Sequence, residues 1–487
     1  MKKLTLLFMS VFFVSFLSAQ DVSDALRYSQ SEIQGTARFR ALSGAFGALG
    51  GDMSAISANP AGSAVFSQSQ TTFTASNSDS ENVSIYFNSL STTNASNFDI
   101  NQGGAVFVFK SNSNSAWRKF TLGLTYERTH NFDDTWFAIG RNTNNQSIDL
   151  YFLENASGKR LDEISALPSE SLSDAYLDIG SFYGFEHQQA FLGFESFILE
   201  PDDIDNDANT TYFSNLGDGS FNHDYSYFSR GFNGKITVNL AAQYEDNLYL
   251  GLNLNSHFID FERSTLLFED NTNEGSFINF IEFENNLSTI GTGFSFQLGG
   301  ILKLSQEFRV GVTYDSPTWY TIEEETSQYL ATDGDTFGFI EIDPQVVNVY
   351  PRYRLQTPAK ITGSAAYVFN KVGLISFDYS IKDYSKTQFR PEDDAYFANQ
   401  NINIANTLTS AATYRVGGEY KVKQFSFRGG YRFEESPYAN GVTVGDLTGY
   451  SLGLGYNFGN NNMLDLAYDR WNRTNQSSLF NTVLNYN

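Results

Sequence analysis

The chain has 487 residues, no cysteine and a formal net charge of −24. Its acidity argues against nucleic acid as a partner, and the lack of cysteine excludes disulfides and thiol chemistry. An aromatic content of 16% argues against disorder. Abundant Tyr, Phe, Gly, Asn and Ser with low mean hydropathy are typical of a membrane barrel, in which only every second wall residue must be apolar.

The first residues have the three parts of a secretory signal peptide. Two lysines precede an apolar run from Leu4 to Leu17, and small residues follow at Ser18 and Ala19. This pattern predicts a signal peptide over residues 1–19. No later segment holds the roughly 18 consecutive apolar residues that a membrane-spanning helix needs. We therefore expect an exported chain without a helical span.

The stretch NQGGAVFVF (101–109) places Gly103 and Gly104 at the start of a predicted strand. Glycine inside a strand weakens the ladder and often marks a bulge or a bend. Two interpretations stay open. The glycines permit an ordinary close approach or a rim turn, or they mark a kink that leaves a gap in the wall.

Apolar residues alternate with small or polar ones through much of the chain, in units of about ten residues. The pattern starts with FTLGLTYER (120–128) and recurs in KITVNLAAQY, FRVGVTY, LISFDYSI, YSLGLGYNF and MLDLAYDRW. Short connections alternate with longer polar ones near 323–350, 387–408 and 435–447. These features predict an all-β fold, a transmembrane antiparallel β-barrel. The pattern gives up to sixteen strands when the segments 69–76, 82–88 and 133–141 are all counted.

One predicted connection is very long, from 144 to 230. Within it, the segments 169–185 and 187–199 carry apolar residues at three- and four-residue spacing, which predicts two helices. The helices could pack on each other as a lid, or they could form an exposed groove that captures an apolar solute. The candidate capture residues are Tyr176, Ile179, Tyr183, Phe191, Phe194, Phe197 and Ile198.

No catalytic constellation is visible in the sequence. The four histidines are scattered without metal-ligand spacing, and there is no Gly-x-Ser-x-Gly motif. The segment 202–209 has aspartates at calcium-loop spacing, but Ala208 and Ser214 replace the glycine and the glutamate that such a loop requires. We interpret this segment as a solvated acidic loop, with a bridging divalent cation as the alternative. We expect no enzyme activity, no metal site and no cofactor.

The segment GTARFRALSGAFGALGGDMSAISANPAG (35–62) resembles the N-terminal hatch of the FadL/TodX family of outer-membrane transporters. Its part from Gly47 to Gly62 consists almost wholly of small residues and has too few large apolar groups to form a core of its own. The segments GTGFSFQLGGILKLSQEFRVGVTYDSP, YRVGGEY and FRGGYRFEESPY are similar to the family's strand pairs. The resemblance covers nearly the whole mature chain, and the long loops match least.

The resemblance implies a monomeric barrel of fourteen strands, plugged by an N-terminal hatch and carrying helical extracellular loops. It divides the chain into the signal peptide, a hatch (20–66) and a barrel (67–487). A kinked wall strand, for which Gly103 and Gly104 are candidates, would provide a lateral opening. The hatch and gating residues that it implies are Asn59, Pro60, Ala61, Gly47, Gly50 and Gly51.

The function implied by the resemblance is passive uptake of hydrophobic compounds, such as long-chain fatty acids or aromatic hydrocarbons, with lateral exit to the membrane. The implied location is the outer membrane of a Gram-negative bacterium. Outer-membrane lipid, the hydrophobic solute and the outer-membrane assembly machinery are the expected partners, with Tyr486 near the C terminus as the assembly signal. Two alternatives remain open: a substrate-carrying barrel of a protein-secretion system, and a haem receptor.

Overall fold

The computed structural model describes residues 20–111, 115–370, 372–460 and 462–479. The predicted signal peptide and Tyr486 lie outside these residues. Among the described residues, no helix is long and apolar enough to cross a membrane.

The helices of the described residues are short, and they lie in the N-terminal segment and in two of the long connections. They are α1 (Val22–Arg27), α2 (Ala37–Ala41), α3 (Ala55–Ala58), α4 (Asp149–Ala156), α5 (Leu172–Tyr183), α6 (Phe185–Glu195) and α7 (Ala395–Thr407). Short 3-10 helices occur at Pro60–Val65, Leu161–Glu163 and Tyr384–Lys386.

Strands dominate the remainder of the chain. They are β1 (Gln70–Tyr86), β2 (Ser89–Lys110), β3 (Trp117–Asn131), β4 (Asp134–Asn142), β5 (Leu199–Pro201), β6 (Tyr212–Ser214), β7 (Phe221–Tyr244), β8 (Leu248–Asp270), β9 (Phe280–Lys303), β10 (Phe308–Asp315), β11 (Trp319–Asp333), β12 (Ile340–Ile342), β13 (Asn348–Val349), β14 (Tyr353–Gln356), β15 (Lys360–Phe369), β16 (Gly373–Asp383), β17 (Gln388–Arg390), β18 (Ser410–Val422), β19 (Phe425–Glu434), β20 (Val444–Gly459) and β21 (Asn462–Asn475).

All of these strands except β5 and β6 belong to one antiparallel sheet that forms the barrel wall. Its alternation is the reverse of that in a soluble sheet. Along β8, Asn253 and Asn255 are buried on the inner face, whereas Leu250 and Leu254 are exposed on the outer face. Apolar residues outside and polar residues inside are the signature of a membrane barrel. The predicted fold class is therefore confirmed.

Several strands combine into one wall strand. Both β3 and β4 pair with β7, both β10 and β11 pair with β9, and β12 to β15 follow one another along β11 and β10. Two segments that the pattern counted separately, 69–76 and 82–88, lie in or overlap the single strand β1, and 133–141 continues β3. The upper count of sixteen therefore counts parts of one continuous wall strand as separate strands.

The connections differ in length at the two ends of the barrel. Those between β7 and β8, β9 and β10, and β18 and β19 are short, and we call this end the short-turn rim. The opposite end, the long-loop rim, carries α4 to α7. The segment 323–350, predicted as a long connection, is largely strand. The acidic residues Glu323 and Glu325 of this segment belong to β11 and are exposed on its outer face.

The predicted outer loop 144–230 contains α4, α5, α6 and the small β5–β6 sheet, and β7 already begins at Phe221. The two predicted helical segments correspond in position to α5 and α6. These helices pack on one another and on Phe283 and Leu330 of the wall. We call this helical layer, residues 148–199, the cap.

Candidate solute cavity and its hatch

Glycines of the barrel wall create the space that the N-terminal segment fills. A Cβ at Gly299 of β9 would lie 2.1 Å from Asn59 Oδ1, and one at Gly311 of β10 would lie 2.3 Å from the Gly47 carbonyl oxygen. Real Cβ atoms do not approach heavy atoms so closely. Glycine weakens a strand, but here it lets the N-terminal segment lie directly against the strand backbone. Further wall glycines with the same role are Gly251, Gly417, Gly430 and Gly453.

Asn59 is fully buried and joins the segment to the wall. Its Nδ2 donates to the carbonyls of Gly47 (2.7 Å) and Gly300 (3.1 Å). Its Oδ1 accepts from the N–H of Ala61 (3.0 Å) and caps the 3-10 turn that Pro60 begins. Proline suits the first position of a helical turn, since its fixed φ matches and it has no N–H to satisfy.

Side-chain amides of β7, β8 and β9 satisfy carbonyl groups of the same segment. The bonds run from Asn239 to Pro60 (2.9 Å), from Asn253 to Ile56 (2.8 Å) and from Gln297 to Ser57 (3.1 Å). A buried carbonyl without a partner costs free energy. The polar inner face of the wall therefore fixes the position of the segment as well as its depth.

The predicted glycines of the segment each meet a specific constraint. The N–H groups of Phe46 and Gly47 both donate to Asp378 Oδ2, each at 3.0 Å. Gly50 and Gly51 have φ of +64° and +68°, the left-handed region that favours glycine. Of the six residues predicted for the hatch and its gate, Gly47, Asn59, Pro60 and Ala61 contact the wall, whereas Gly50 and Gly51 pack against Val65 within the segment. Their gating role stays a prediction.

Sequence reasoning missed two charged anchors of the segment. Arg38 Nε lies 2.9 Å from Glu419, which also pairs with Arg428 Nε at 2.6 Å, and Arg428 continues to Asp465 at 2.6 Å. Arg40 pairs with Asp469 at 2.7 Å. The available signal was the presence of two arginines within a stretch of small residues. Their partners, 381 and 429 residues away, gave no signal of their own.

The N-terminal helix α1 reaches towards the long-loop rim. It begins with a capping box, in which the Asp24 N–H donates to Asp21 and the Asp21 N–H donates to Asp24 (3.0 and 3.1 Å). Gln20 Nε2 donates to Glu324 (2.7 Å), and Tyr396 of α7 donates to the Gln20 carbonyl (2.7 Å). The start of the N-terminal segment is therefore attached to β11 and to α7 of the long-loop rim.

The ladder between β2 and β3 stops next to Gly103 and Gly104. Its outermost pair is Gln102 with Glu127, and in the described part of the chain residues 89–100 of β2 pair with β1 alone. The β1–β2 register shifts at this level, which marks a bulge at Asn101. The two strands separate beyond this point, and the Arg128 guanidinium contacts the Asp99 carboxylate across the separation.

The outer end of the β1–β2 hairpin packs on the inner face of β4 and β7. The Tyr86 hydroxyl lies 2.5 Å from His223 Nδ1, and His223 Nε2 lies 2.7 Å from Glu269. A Cβ at Gly140 would lie 2.6 Å from the Tyr86 carbonyl oxygen. The hairpin tip therefore leaves the line of the wall and covers part of the barrel mouth.

The cap encloses most of the residues predicted to form a capture groove. Tyr176, Ile179, Phe191 and Ile198 are buried in its core, and Phe194 packs against that core. The Tyr176 hydroxyl donates to Gln328 of β11 at 2.8 Å. Tyr183 and Phe197 are exposed. This packing corresponds to the lid interpretation, and the capture role stays a prediction.

A cavity of about 2800 Å³ lies between the hatch, the hairpin tip and the cap. Its lining includes Tyr183 and His187 of the cap. Burial lowers the pKa of His187, Lys159 lowers it further, and Glu163 opposes both. Residues that give the cavity its apolar surface include Leu26, Phe132, Phe261, Leu287, Tyr396 and Tyr438.

The acidic segment 202–209 is ordered by its own hydrogen bonds. Asp202 accepts from the Thr211 hydroxyl (2.7 Å), and Asp203 accepts from the Asp205 N–H (3.2 Å). Within the described residues, no group of three or more His, Asp or Glu side chains is arranged to hold a metal ion. The bridging cation remains an alternative for which this geometry offers no support.

Comparisons with known proteins agree with this architecture. The family model described as outer membrane protein transport protein (OMPP1/FadL/TodX) matches residues 230–482, more than half of the chain. A second model, of an uncharacterised protein family, matches residues 14–93. A putative outer membrane protein of Neisseria meningitidis serogroup B is 24% identical over 206 residues, which span 36% of this chain and 41% of that relative.

Two solved structures have the same fold over nearly the whole chain. A FadL homologue of Pseudomonas aeruginosa is 13% identical with a TM-score of 0.53, covering 92% of this chain and 91% of that one. The CymD monoaromatic hydrocarbon channel is 11% identical with a TM-score of 0.50, covering 91% and 93%. The predicted family is confirmed: the chain belongs to the OMPP1/FadL/TodX family of outer membrane transport proteins.

Proposed function

We propose that this protein carries hydrophobic compounds, long-chain fatty acids or aromatic hydrocarbons, passively across the outer membrane. The observation that carries the proposal is a cavity of about 2800 Å³ bordered by the N-terminal segment, next to the level where the β2–β3 ladder stops. An apolar solute gains roughly 0.8 kcal/mol per CH₂ buried, a gain that an open aqueous pore does not offer. The solute leaves sideways into lipid through the separation between β2 and β3.

In this proposal the segment 20–66 is the hatch, and Gly47, Gly50, Gly51 and the Asn59-Pro60-Ala61 motif hold it shut. The exposed cap residues Tyr183 and Phe197 offer the first contact to the solute. The partners are outer-membrane lipid, the solute and the assembly machinery, and the protein acts as a monomer after removal of residues 1–19. The family match favours transport over a secretion carrier or a haem receptor.

Loss of the protein should reduce uptake of its solute several-fold. The measurement is accumulation of labelled long-chain fatty acids and of labelled monoaromatic hydrocarbons in cells with the gene, without it, and with the gene restored. Unchanged uptake of every compound tested would refute the proposed transport.

Closing the separation between β2 and β3 should block exit without disturbing the barrel. The chain has no cysteine, so Asp99→Cys with Arg128→Cys introduces the only thiols. Bridging them with a reducible bis-thiosulfonate should abolish uptake, and dithiothreitol should restore it. The control is Phe109→Cys with Phe120→Cys, two directly paired residues inside the intact ladder. Equal uptake by the two bridged variants would contradict a lateral exit at this position.

A further inference from the structure

Positive charge is concentrated at the short-turn rim, although the chain as a whole has 31 Lys and Arg against 55 Asp and Glu. The connection between β2 and β3 belongs to this rim, because Trp117 at the start of β3 pairs with Tyr244 at the end of β7. Among the described residues in the short connections and the three adjoining positions of each strand, cations outnumber carboxylates. The exposed cations are Lys110, Arg118, Lys421 and Lys423, the less exposed ones are Lys119, Lys303 and Arg309, and the carboxylates are Glu245, Asp246 and Glu307.

The long-loop rim has the opposite balance. Its cap contains nine Asp and Glu residues and only two cations, Lys159 and Arg160. The exposed Arg230 of the wall, which lies away from the short-turn rim, pairs with Glu262 at 2.5 Å. The two ends of the barrel therefore differ in the sign of their charge.

Most cations of the short-turn rim are not neutralised within the protein. Arg118 reaches the carboxylate of Asp246 only at 4.0 Å, and that carboxylate is itself almost fully exposed. In the part of the chain that the structure describes, the rim cations that form no ion pair within 4.0 Å are Lys110, Lys119, Lys303, Arg309 and Lys423. Their positive charge is left for an anion outside the chain.

Two pairs of these cations also oppose each other directly in the wall. Lys110 is the ladder partner of Lys119, and Lys303 is the ladder partner of Arg309. Like charges at directly opposed positions destabilise a sheet. The hatch offers only neutral acceptors here, since Lys119 Nζ donates to the Phe66 carbonyl at 2.6 Å. An anion bound at the rim would therefore stabilise this arrangement.

Exposed aromatic residues lie at the same level as the rim cations. Lys110 directly follows Phe109 in the chain, and Arg118 directly follows Trp117. Aromatic girdles of membrane barrels lie at the headgroup level of the bilayer, and long basic side chains extend from there to the charged interface. The exposed aromatic residues at the strand ends of this rim are Phe109, Trp117, Phe308, Phe369, Phe425 and Phe458.

We infer that the short-turn rim binds the phosphate groups of anionic phospholipids in the adjacent leaflet, with Lys110, Arg118, Lys421 and Lys423 as the principal contacts. Bacterial barrels place their short turns on the periplasmic side, so this leaflet is the periplasmic one. Basic residues near a bilayer surface attract anionic lipid over about a Debye length. The inference concerns how the barrel is seated in its membrane, and it holds whichever solute the barrel carries.

The test measures lipid preference beside Trp117, an exposed tryptophan of this rim. The other tryptophans, Trp136, Trp319 and Trp471, are replaced by phenylalanine, and the full-length protein is reconstituted into vesicles of phosphatidylcholine and phosphatidylglycerol. Brominated chains on one lipid or the other quench nearby tryptophan, so the two quenching curves give the relative affinity. The rim should prefer phosphatidylglycerol by about three- to tenfold, and molar salt should reduce this preference.

In the same background, the rim variant combines Lys110→Gln, Arg118→Gln, Lys421→Gln and Lys423→Gln, and its preference should fall close to one. The matched control removes four exposed cations away from this rim, by Arg160→Gln, Arg230→Gln, Arg352→Gln and Lys386→Gln, and should keep the preference. Heat-modifiable migration in gels verifies that each variant is a folded barrel. Equal quenching by the two lipids before the rim is altered, or a preference retained in the folded rim variant, would overturn the inference. An equal loss in both variants would also overturn it, because net charge alone would then set the preference.

Discussion

Replacing Glu419 by glutamine should destabilise the folded protein by about 3–5 kcal/mol, the usual cost of leaving a buried charge uncompensated. Glu419 has an almost fully buried side chain and lies between Arg38 of the hatch and Arg428 of β19. Glutamine keeps the shape but removes the charge, so Arg38 loses its carboxylate partner and Arg428 keeps only Asp465. The measurement is the urea midpoint of unfolding of the barrel in detergent micelles.

The matched control is Glu262→Gln, which breaks the exposed pair between Arg230 and Glu262. An exposed pair contributes about 0–1 kcal/mol, because solvent screens it and its side chains lose entropy on pairing. Since Arg38 belongs to the hatch, Glu419→Gln should also expose the N-terminal segment to protease before the barrel unfolds. Similar midpoints for the two variants would show that this network does not hold the hatch.

Replacing Gly299 by valine should displace the hatch and make the barrel permeable to hydrophilic molecules. The new Cβ would lie 2.1 Å from Asn59 Oδ1 and 2.7 Å from Pro60 Cδ. Asn59 cannot move aside without breaking its bonds to Gly47 and Gly300, and such overpacking costs about 1–3 kcal/mol or more. Sensitivity of cells to a large hydrophilic antibiotic measures the leak.

The control is Gly363→Val in β15, where a Cβ would meet nothing within 4 Å. Both substitutions place a β-branched residue in a strand, so both barrels should insert into the membrane in equal amounts. A leak in neither variant would mean that the hatch tolerates the clash and is held elsewhere. A loss of inserted barrel in Gly299→Val alone would make the contact structural rather than a seal.

Local sequence pattern was sufficient to predict the barrel and to locate its plug. Alternation along 248–256 or 308–314 is a property of neighbouring residues, and so is the lack of large apolar groups between Gly47 and Gly62. Both are visible in one sequence because period-two patterning and residue size act within a few positions. The helices α5 and α6 were likewise predictable from their spacing.

Contacts between distant segments could not be predicted in the same way. Nothing near Gly299 indicates that its missing side chain makes room for Asn59, 240 residues earlier. The segment 82–88 alternates like a wall strand, yet its tip packs inside the barrel mouth, because the bond from Tyr86 to His223 decides the placement. The ion pairs of Arg38 with Glu419 and of Arg40 with Asp469 depend on which wall strands surround the segment, and this arrangement was not readable from composition.

The most direct test of this account is the permeability of the purified protein in liposomes to a small sugar, measured beside the transfer of a labelled hydrophobic solute into the lipid. The account predicts that the wild type transfers the hydrophobic solute and admits no sugar, because the hatch seals the lumen and the exit opens sideways. Rapid sugar entry with no transfer of hydrophobic solute would contradict it and indicate an open aqueous pore.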